Sequence, residues 1–310
     1  MFLDVNFMTL QTEFNNLVQL QEEGIYLFTT HLTEELFDYL KDDYNFETSL
    51  WLVNDLSQQL KIQSIKDFEL KCKKLILNLF TKLVLNYIES VLMKCEYDPW
   101  KNLNFTYNEY GKPQLVINGK LLQFNSSSSN YILSLVISRQ EFPVGIDLSH
   151  SKQKISSINF LQEFKPIFND HEYDYLSSIA SASEKYLCFN LIWTLKEAFT
   201  KLLGCGLSIE LSQFFFKIID NIELIEPNYD QNMISQFDVI WQKNIEINID
   251  QLVEKENLWL NQLQNFNFHC QSGILKAPNN DLPVIISIIS QVSPIIESFN
   301  INFVKILQLQ

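Results

Sequence analysis

Residues 193–201 read Trp193-Thr194-Leu195-Lys196-Glu197-Ala198-Phe199-Thr200-Lys201, and fifty residues before Glu197, in Gly145-Ile146-Asp147, stands Asp147. The first stretch lies within 182–203, which reads as a long helix stopped by Gly204 and Gly206. The second ends a short apolar run that reads as a strand. On a helix, Trp193, Glu197 and Lys201 are spaced by four and share one face. Taken alone, Glu197 and Lys201 are an ordinary surface ion pair worth a few tenths of a kcal/mol. Asp147 alone is an aspartate bonding to its own turn. Together they suggest more. Two carboxylates sharing a site repel unless a proton or a cation intervenes. Mg²⁺ is the usual partner of such oxygens when a phosphate completes the shell, and a lysine one turn away neutralises phosphate charge.

Outward from this pair, the chain changes period twice. Before residue 103 it is mostly helical. A strand is expected at 25–30 and short helices at 33–40 and 48–60. A long helix is expected at 65–92, where Ile65, Phe68, Cys72, Leu75, Leu79 and Leu83 recur at threes and fours. From 103 short strands are expected at 103–107, 114–117, 121–125, 131–138 and 144–147, with Asn118-Gly119 as a hairpin turn. Helices then return: one capped by Asn169 or Asp170 and running toward 179, then 182–203. Strands follow at 214–219, 237–241 and 284–290; the rest of the C-terminal third carries no clear pattern. Elements in blocks rather than a regular alternation indicate an α+β fold, divided near Pro143 into residues 1–143 and 144–310.

The chain has 310 residues, 46% of them hydrophobic, which is enough to bury a sizeable core. A net charge of -14 argues against nucleic acid as the partner. Five scattered cysteines without a C-x-x-C pair argue against a disulfide framework or a zinc site and for a reducing compartment. The N-terminus lacks the pattern of a signal peptide. The apolar stretch 282–296 is broken by Pro283 and Pro294 and is too short to span a bilayer, so a cytoplasmic, monomeric protein without membrane contact is expected. The four histidines show no metal-ligand spacing, and no Ser-His-Asp order, P-loop or dinucleotide fingerprint is present.

With Gly204-Cys205-Gly206-Leu207 added, the two segments resemble the 4'-phosphopantetheinyl transferases of the larger, Sfp type. Three upstream stretches agree. Tyr110-Gly111-Lys112-Pro113 is similar to the family's G-K-P turn. Phe124-Asn125-Ser126-Ser127-Ser128-Ser129 stands where the family has F-N-x-S-H-S. The lysine-rich segment from Lys61 to Cys72 resembles the yeast members that serve lysine biosynthesis. The likeness covers about residues 61–211.

The resemblance implies two similar subdomains related by a pseudo-twofold axis, with the active site in the cleft between them. It implies transfer of the phosphopantetheine arm of coenzyme A to a serine of an apo carrier-protein domain, releasing adenosine 3',5'-bisphosphate. Asp147 and Glu197 would hold Mg²⁺. Glu197, or a water beside it, would take the serine proton. Lys201 would contact the phosphates, and Lys61, Lys71 and Lys112 the nucleotide end, with Asn125, Ser127 and Ser128 anchoring phosphate. The carrier implied is α-aminoadipate reductase, with fatty-acid synthase or another carrier as alternatives. The acidic chain cannot recruit coenzyme A at long range. A local run such as Lys61, Lys66, Lys71, Lys73 and Lys74 must act within roughly one Debye length, about 8 Å. That run has a plainer reading, a solvated helix face. Two departures stand out. The position two after Asp147, acidic in the bacterial prototype, is Ser149, which leaves water to complete the metal shell. Ser128 replaces the family histidine. A rival reading is a coenzyme A-binding or scaffold protein of the same fold that has lost catalysis; a third is a different Mg²⁺-dependent phosphotransferase.

Overall fold

Two long amphipathic helices each cover the outer face of a sheet, and the two sheets meet through their inner faces. The computed structural model describes residues 4–5, 24–139, 142–151, 160–218, 239–254, 260–261, 263, 267–276, 283–291 and 296–308. In chain order the described strands are β1 (Asp4–Val5), β2 (Ile25–His31), β3 (Phe105–Tyr107), β4 (Pro113–Ile117), β5 (Lys120–Ser129), β6 (Ile132–Ser138), β7 (Val144–His150), β8 (Phe215–Ile218), β9 (Gln242–Asn248), β10 (His269–Leu275), β11 (Val284–Ser290), β12 (Ile296–Asn300) and β13 (Leu307–Gln308). The helices are α1 (Glu34–Leu40), α2 (Asp43–Trp51), α3 (Leu56–Gln63), α4 (Phe68–Met93), α5 (Phe160–Glu163), α6 (Asp170–Ser178), α7 (Ala182–Leu203), α8 (Asp250–Glu254) and α9 (Phe303–Ile306).

One sheet has the order β12-β2-β6-β5-β4-β3 and the other β7-β11-β10-β9-β8. All pairings within them are antiparallel except β12 on β2, which is parallel. Strand alternation sorts the side chains into layers. Tyr26, Phe28, Leu133, Leu135 and Ile137 join α4 residues such as Leu75, Phe80 and Leu83 in one core. Ile285, Ile289 and Ile274 join Leu191, Leu195, Ala198 and Leu202 of α7 in another. Ile25, Leu27, Ile132 and Val136 of the first sheet meet Val144, Ile146, Leu148, Ile286 and Ile288 of the second in a third. The fold is thus α+β, with the order of layers helix, sheet, sheet, helix. Strands β6 and β7, on either side of residue 143, lie in different sheets, while β12 returns to the first.

Several local readings carry over. Asn118 and Gly119 both take positive φ, 52° and 75°, the turn that a two-residue hairpin between β4 and β5 requires. Asn169 closes a reciprocal capping box with Glu172 at the start of α6. Helix α7 ends at Gly204 with φ 72°.

Two expectations need correction. The single helix expected at 48–60 is two helices, α2 and α3. Asn54 takes φ 53° between them, and the Asp55 carboxylate caps the second by accepting from Gln58 N at 3.0 Å. The strand expected at 237–241 falls partly outside the described residues; residues 239–241 precede β9. Strands β10 and β12 fell in the stretch that carried no clear pattern. Helix α4 is apolar and long enough to cross a membrane by composition, but 67% of its apolar window is buried inside the protein.

Candidate active site

Strand β7 presents Gly145, Asp147 and Ser149 to α7, because alternate residues share a face. Gly145 sets the distance. A Cβ there would lie 1.9 Å from the Ala198 carbonyl oxygen and 2.6 Å from Leu202 N, so only glycine allows strand and helix to lie this close. Two residues on, Asp147 is 7% exposed. Its Oδ1 accepts from Lys201 Nζ at 2.7 Å and from Ser127 Oγ at 2.8 Å. Lys201 Nζ also reaches Ser127 Oγ at 3.3 Å, and that oxygen accepts from Leu148 N at 3.2 Å. Ser127 comes from β5, so Asp147 is held from both sheets.

Glu197 is half-buried on α7, one turn before Lys201. Burial, and after it the charge of Asp147, hold its carboxyl above the ordinary glutamate range; Lys201 works in the opposite direction.

The C-terminus of α7 is capped by the first sheet. Lys201 O accepts from Asn125 Nδ2 at 3.3 Å, Leu202 O from Lys112 Nζ at 3.0 Å, and Gly204 O from Asn108 Nδ2 at 2.9 Å. These carbonyls would otherwise be orphaned, and a lysine suits the negative end of the helix dipole. Lys112 thus spends its amine on the helix, and burial lowers it to about 8.

Beside this junction lies a cavity of about 350 Å³ between α3, α4 and the β3–β5 strands. Lys61, Lys74, Asn78, Thr81, Lys82, Phe105, Tyr107, Phe124 and Asn125 line it, and Gly111 and Pro113 form part of its wall. Asp55, which accepts a hydrogen bond from Tyr107 Oη, ties α3 to β3 across it. Lys74 links the cavity to the carboxylates. Its side chain reaches solvent, yet the atoms crowding its ammonium, and after them the charges of Lys201 and Lys61, hold it below the ordinary lysine range. Lys74 of α4 thus stands between the charges of Lys61 on α3 and Lys201 on α7, and Lys201 in turn holds Asp147.

Of the residues singled out in the sequence, Asp147, Glu197, Lys201, Asn125 and Ser127 are gathered, and Lys61 stands in the cavity. Lys71 lies elsewhere, its ammonium 5.8 Å from the Phe46 ring centre. Ser128 points to the opposite face of β5 from Asn125 and Ser127. Lys74 counted in the sequence only as one of a basic run; its helical register with Asn78 and Thr81 was the available signal. The buried pair Lys196–Glu172 also went unread.

Among the described residues no three His, Cys, Asp or Glu side chains gather into a metal cluster. The two carboxylates still fit a cation. The donors are all oxygen, which suits a hard ion such as Mg²⁺ rather than zinc, and Glu197 lacks the positive charge such an ion would bring. Water and phosphate would complete its shell.

A carboxylate pair with lysines beside it, at the junction of two sheets, belongs to the class of sites whose charges suit a cation and a phosphate. Residues 143–251 match the family model of the 4'-phosphopantetheinyl transferase superfamily. The matched segment holds Asp147, Glu197 and Lys201. The chain is 28% identical over 187 residues to the L-aminoadipate-semialdehyde dehydrogenase-phosphopantetheinyl transferase of Saccharomyces cerevisiae, covering 59% of this chain and 64% of that protein. It is 26% identical over 204 residues to the protein of the same name from Candida glabrata, covering 64% and 70%. A 4'-phosphopantetheinyl transferase of Aneurinibacillus migulanus is 34% identical over 134 residues, covering 43% and 51%. The aligned stretches thus span from about half to somewhat over two thirds of these relatives.

Proposed function

We propose that the chain is a Mg²⁺-dependent 4'-phosphopantetheinyl transferase. It would move the phosphopantetheine arm of coenzyme A onto a serine hydroxyl of an apo carrier domain and release adenosine 3',5'-bisphosphate. The observation that carries this reading is a line of lysines: Lys61 and Lys74 line a cavity, and Lys74 also feels the charge of Lys201, the lysine that holds Asp147. Like charges gathered this way are relieved by an extended polyanion, and coenzyme A carries phosphates at both ends of such a line. The aromatic and amide side chains of the cavity suit a purine nucleotide.

In this reading Asp147 and Glu197 hold the cation, which when bound supplies Lewis-acid stabilisation of the pyrophosphate. Lys201 donates to a phosphate oxygen, and Ser127 keeps Asp147 oriented. Glu197, or a water beside it, accepts the proton of the carrier serine as its oxygen attacks phosphorus. The attack breaks the pyrophosphate bond, and the bisphosphate leaves with the bridging oxygen. Lys61 and Lys74 hold the nucleotide end. Lys112 fixes the 111–113 turn in the wall rather than meeting the ligand. Residues 1–143 and 144–310 act as two subdomains, with β12 completing the first. The names of the two yeast relatives favour α-aminoadipate reductase as the carrier, and a cytoplasmic monomer fits that role.

The test is direct: incubate the chain with coenzyme A, Mg²⁺ and apo carrier domains, and weigh the carriers. A mass gain of one phosphopantetheine on α-aminoadipate reductase is expected. No gain on any of several carriers rejects the reading in favour of a chain that binds without catalysis.

A further inference from the structure

The cavity is ordered along α4. Lys74, Asn78 and Thr81 all line it, and at these spacings they share one helix face. Lys74 stands at the end that feels Lys201. Thr81 lies about 10 Å further along the helix axis, a span that a nucleoside covers. Asn78 Nδ2 donates to Lys74 O at 2.8 Å, and a carbonyl can only accept. That contact fixes the amide, so Oδ1, an acceptor, is the end left for the cavity. Thr81 Oγ1 is buried and has no hydrogen-bond partner. Thr48, Thr194 and Thr200 each donate to a carbonyl of their own helix, and Thr81 does not. Its hydroxyl is held by nothing, and one staggered step of χ1 turns it toward the cavity. The two side chains then present an acceptor and, one turn on, a donor.

We infer that Asn78 reads the base of the nucleotide: Asn78 Oδ1 accepts from the exocyclic amino group of adenine, and Thr81 Oγ1 donates to N7 beside it. That edge of adenine is a donor next to an acceptor, the complement of this pair. A 6-oxopurine carries a carbonyl at the same place, and two acceptors would then face each other. Asn78 is thus a specificity-determining residue, while Thr81 adds affinity without choosing. The inference rests on the proposed function and deepens it. Lys61 and Lys74 can hold the phosphates of any nucleotide, but an ammonium on a flexible stem does not tell one base from another.

Calorimetry on the full chain measures its affinity for coenzyme A and for the hypoxanthine analogue, in which oxygen replaces the amino group. The wild-type chain should prefer coenzyme A by about tenfold or more. Asn78→Ala, with a residue that suits a helix interior, should lose that preference and keep most of its affinity for the analogue. Asn78→Asp keeps acceptor oxygens and lacks the amide protons. It should retain the preference, with both ligands weakened by the added negative charge. Thr81→Val should weaken both ligands several-fold and leave their ratio alone, because both purines carry N7. An asparagine that served the helix alone would change no ratio. Equal affinities in the wild type, or an unchanged preference in Asn78→Ala, overturns the inference and leaves the proposed function standing. A wild-type chain that binds neither compound overturns both.

Discussion

Lys196 and Lys201 lie on the same helix, and each holds a carboxylate: Glu172 at 2.8 Å and Asp147 at 2.7 Å. The distances match, but the surroundings differ. Lys196 and Glu172 have side chains 0% and 1% exposed. The Lys196 ammonium also donates to Leu211 O and Phe214 O and lies over the Phe214 ring, while Glu172 accepts from Asn169 N and Phe216 N. Every polar atom of that pair has a fixed protein partner. Lys201 is 27% exposed, and Asp147 shares its oxygen with a serine. The lesson is that satisfaction, not separation, distinguishes a strut from a site. The first pair fastens α6 and β8 to α7, and the second leaves charge available for a ligand.

Breaking the strut should have the largest effect on stability. Lys196→Met leaves Glu172 buried without its cation, at a cost of about 3–5 kcal/mol. Urea unfolding should show it as a lower midpoint. Lys201→Met, by contrast, should shift the midpoint little and reduce transfer by about a hundredfold, as loss of a charge-stabilising donor does. Equal stability losses for both would erase the distinction drawn here. Next in size is Gly145→Ala. The added Cβ must push β7 from α7, and overpacking of this kind costs about 1–3 kcal/mol. It should lower transfer further than its stability loss explains, because Asp147 moves with the strand.

How legible was this from sequence? Helix α7 and the β4–β5 hairpin were readable, since caps and turn glycines act locally. So was the pairing of Asp147 with the 193–201 segment, though through family resemblance and spacing rather than periodicity. Lys196 and Glu197 stand side by side in sequence yet face opposite fates. Which lysine is buried depends on Glu172 and β8, which tertiary packing alone brings near. The bond from Lys112 to α7 was hidden for the same reason: the carbonyl it caps comes from residue 202. The break at 52–55 was missed because Asp55 looked like a helix-interior residue until its cap was seen.

The acidic member of the site offers a smaller, sign-determined test. Because Glu197 binds its proton more tightly in the fold than in the unfolded chain, the native state holds more protons across and above the usual glutamate range. Stability should fall as pH rises through that window. Glu197→Gln should therefore be slightly more stable than the wild type at neutral pH, with the gain vanishing in acid, while transfer is lost. A thermal melt at two pH values checks it.

The least effect on stability, and the sharpest on binding, should come from the far end of the lysine line. Lys61 and Lys74 are exposed cavity residues whose mutual repulsion the fold tolerates. Lys74→Met removes a positive neighbour from both Lys61 and Lys201, so it should leave unfolding unchanged within about 0.5 kcal/mol. The KM for coenzyme A should rise several-fold, with kcat nearly intact. Added salt should weaken the wild type more than the variant, since one screened charge is already missing. If Lys74→Met lowered kcat and left KM alone, the lysine line would end at the metal-side phosphates, and the cavity would hold something other than the nucleotide.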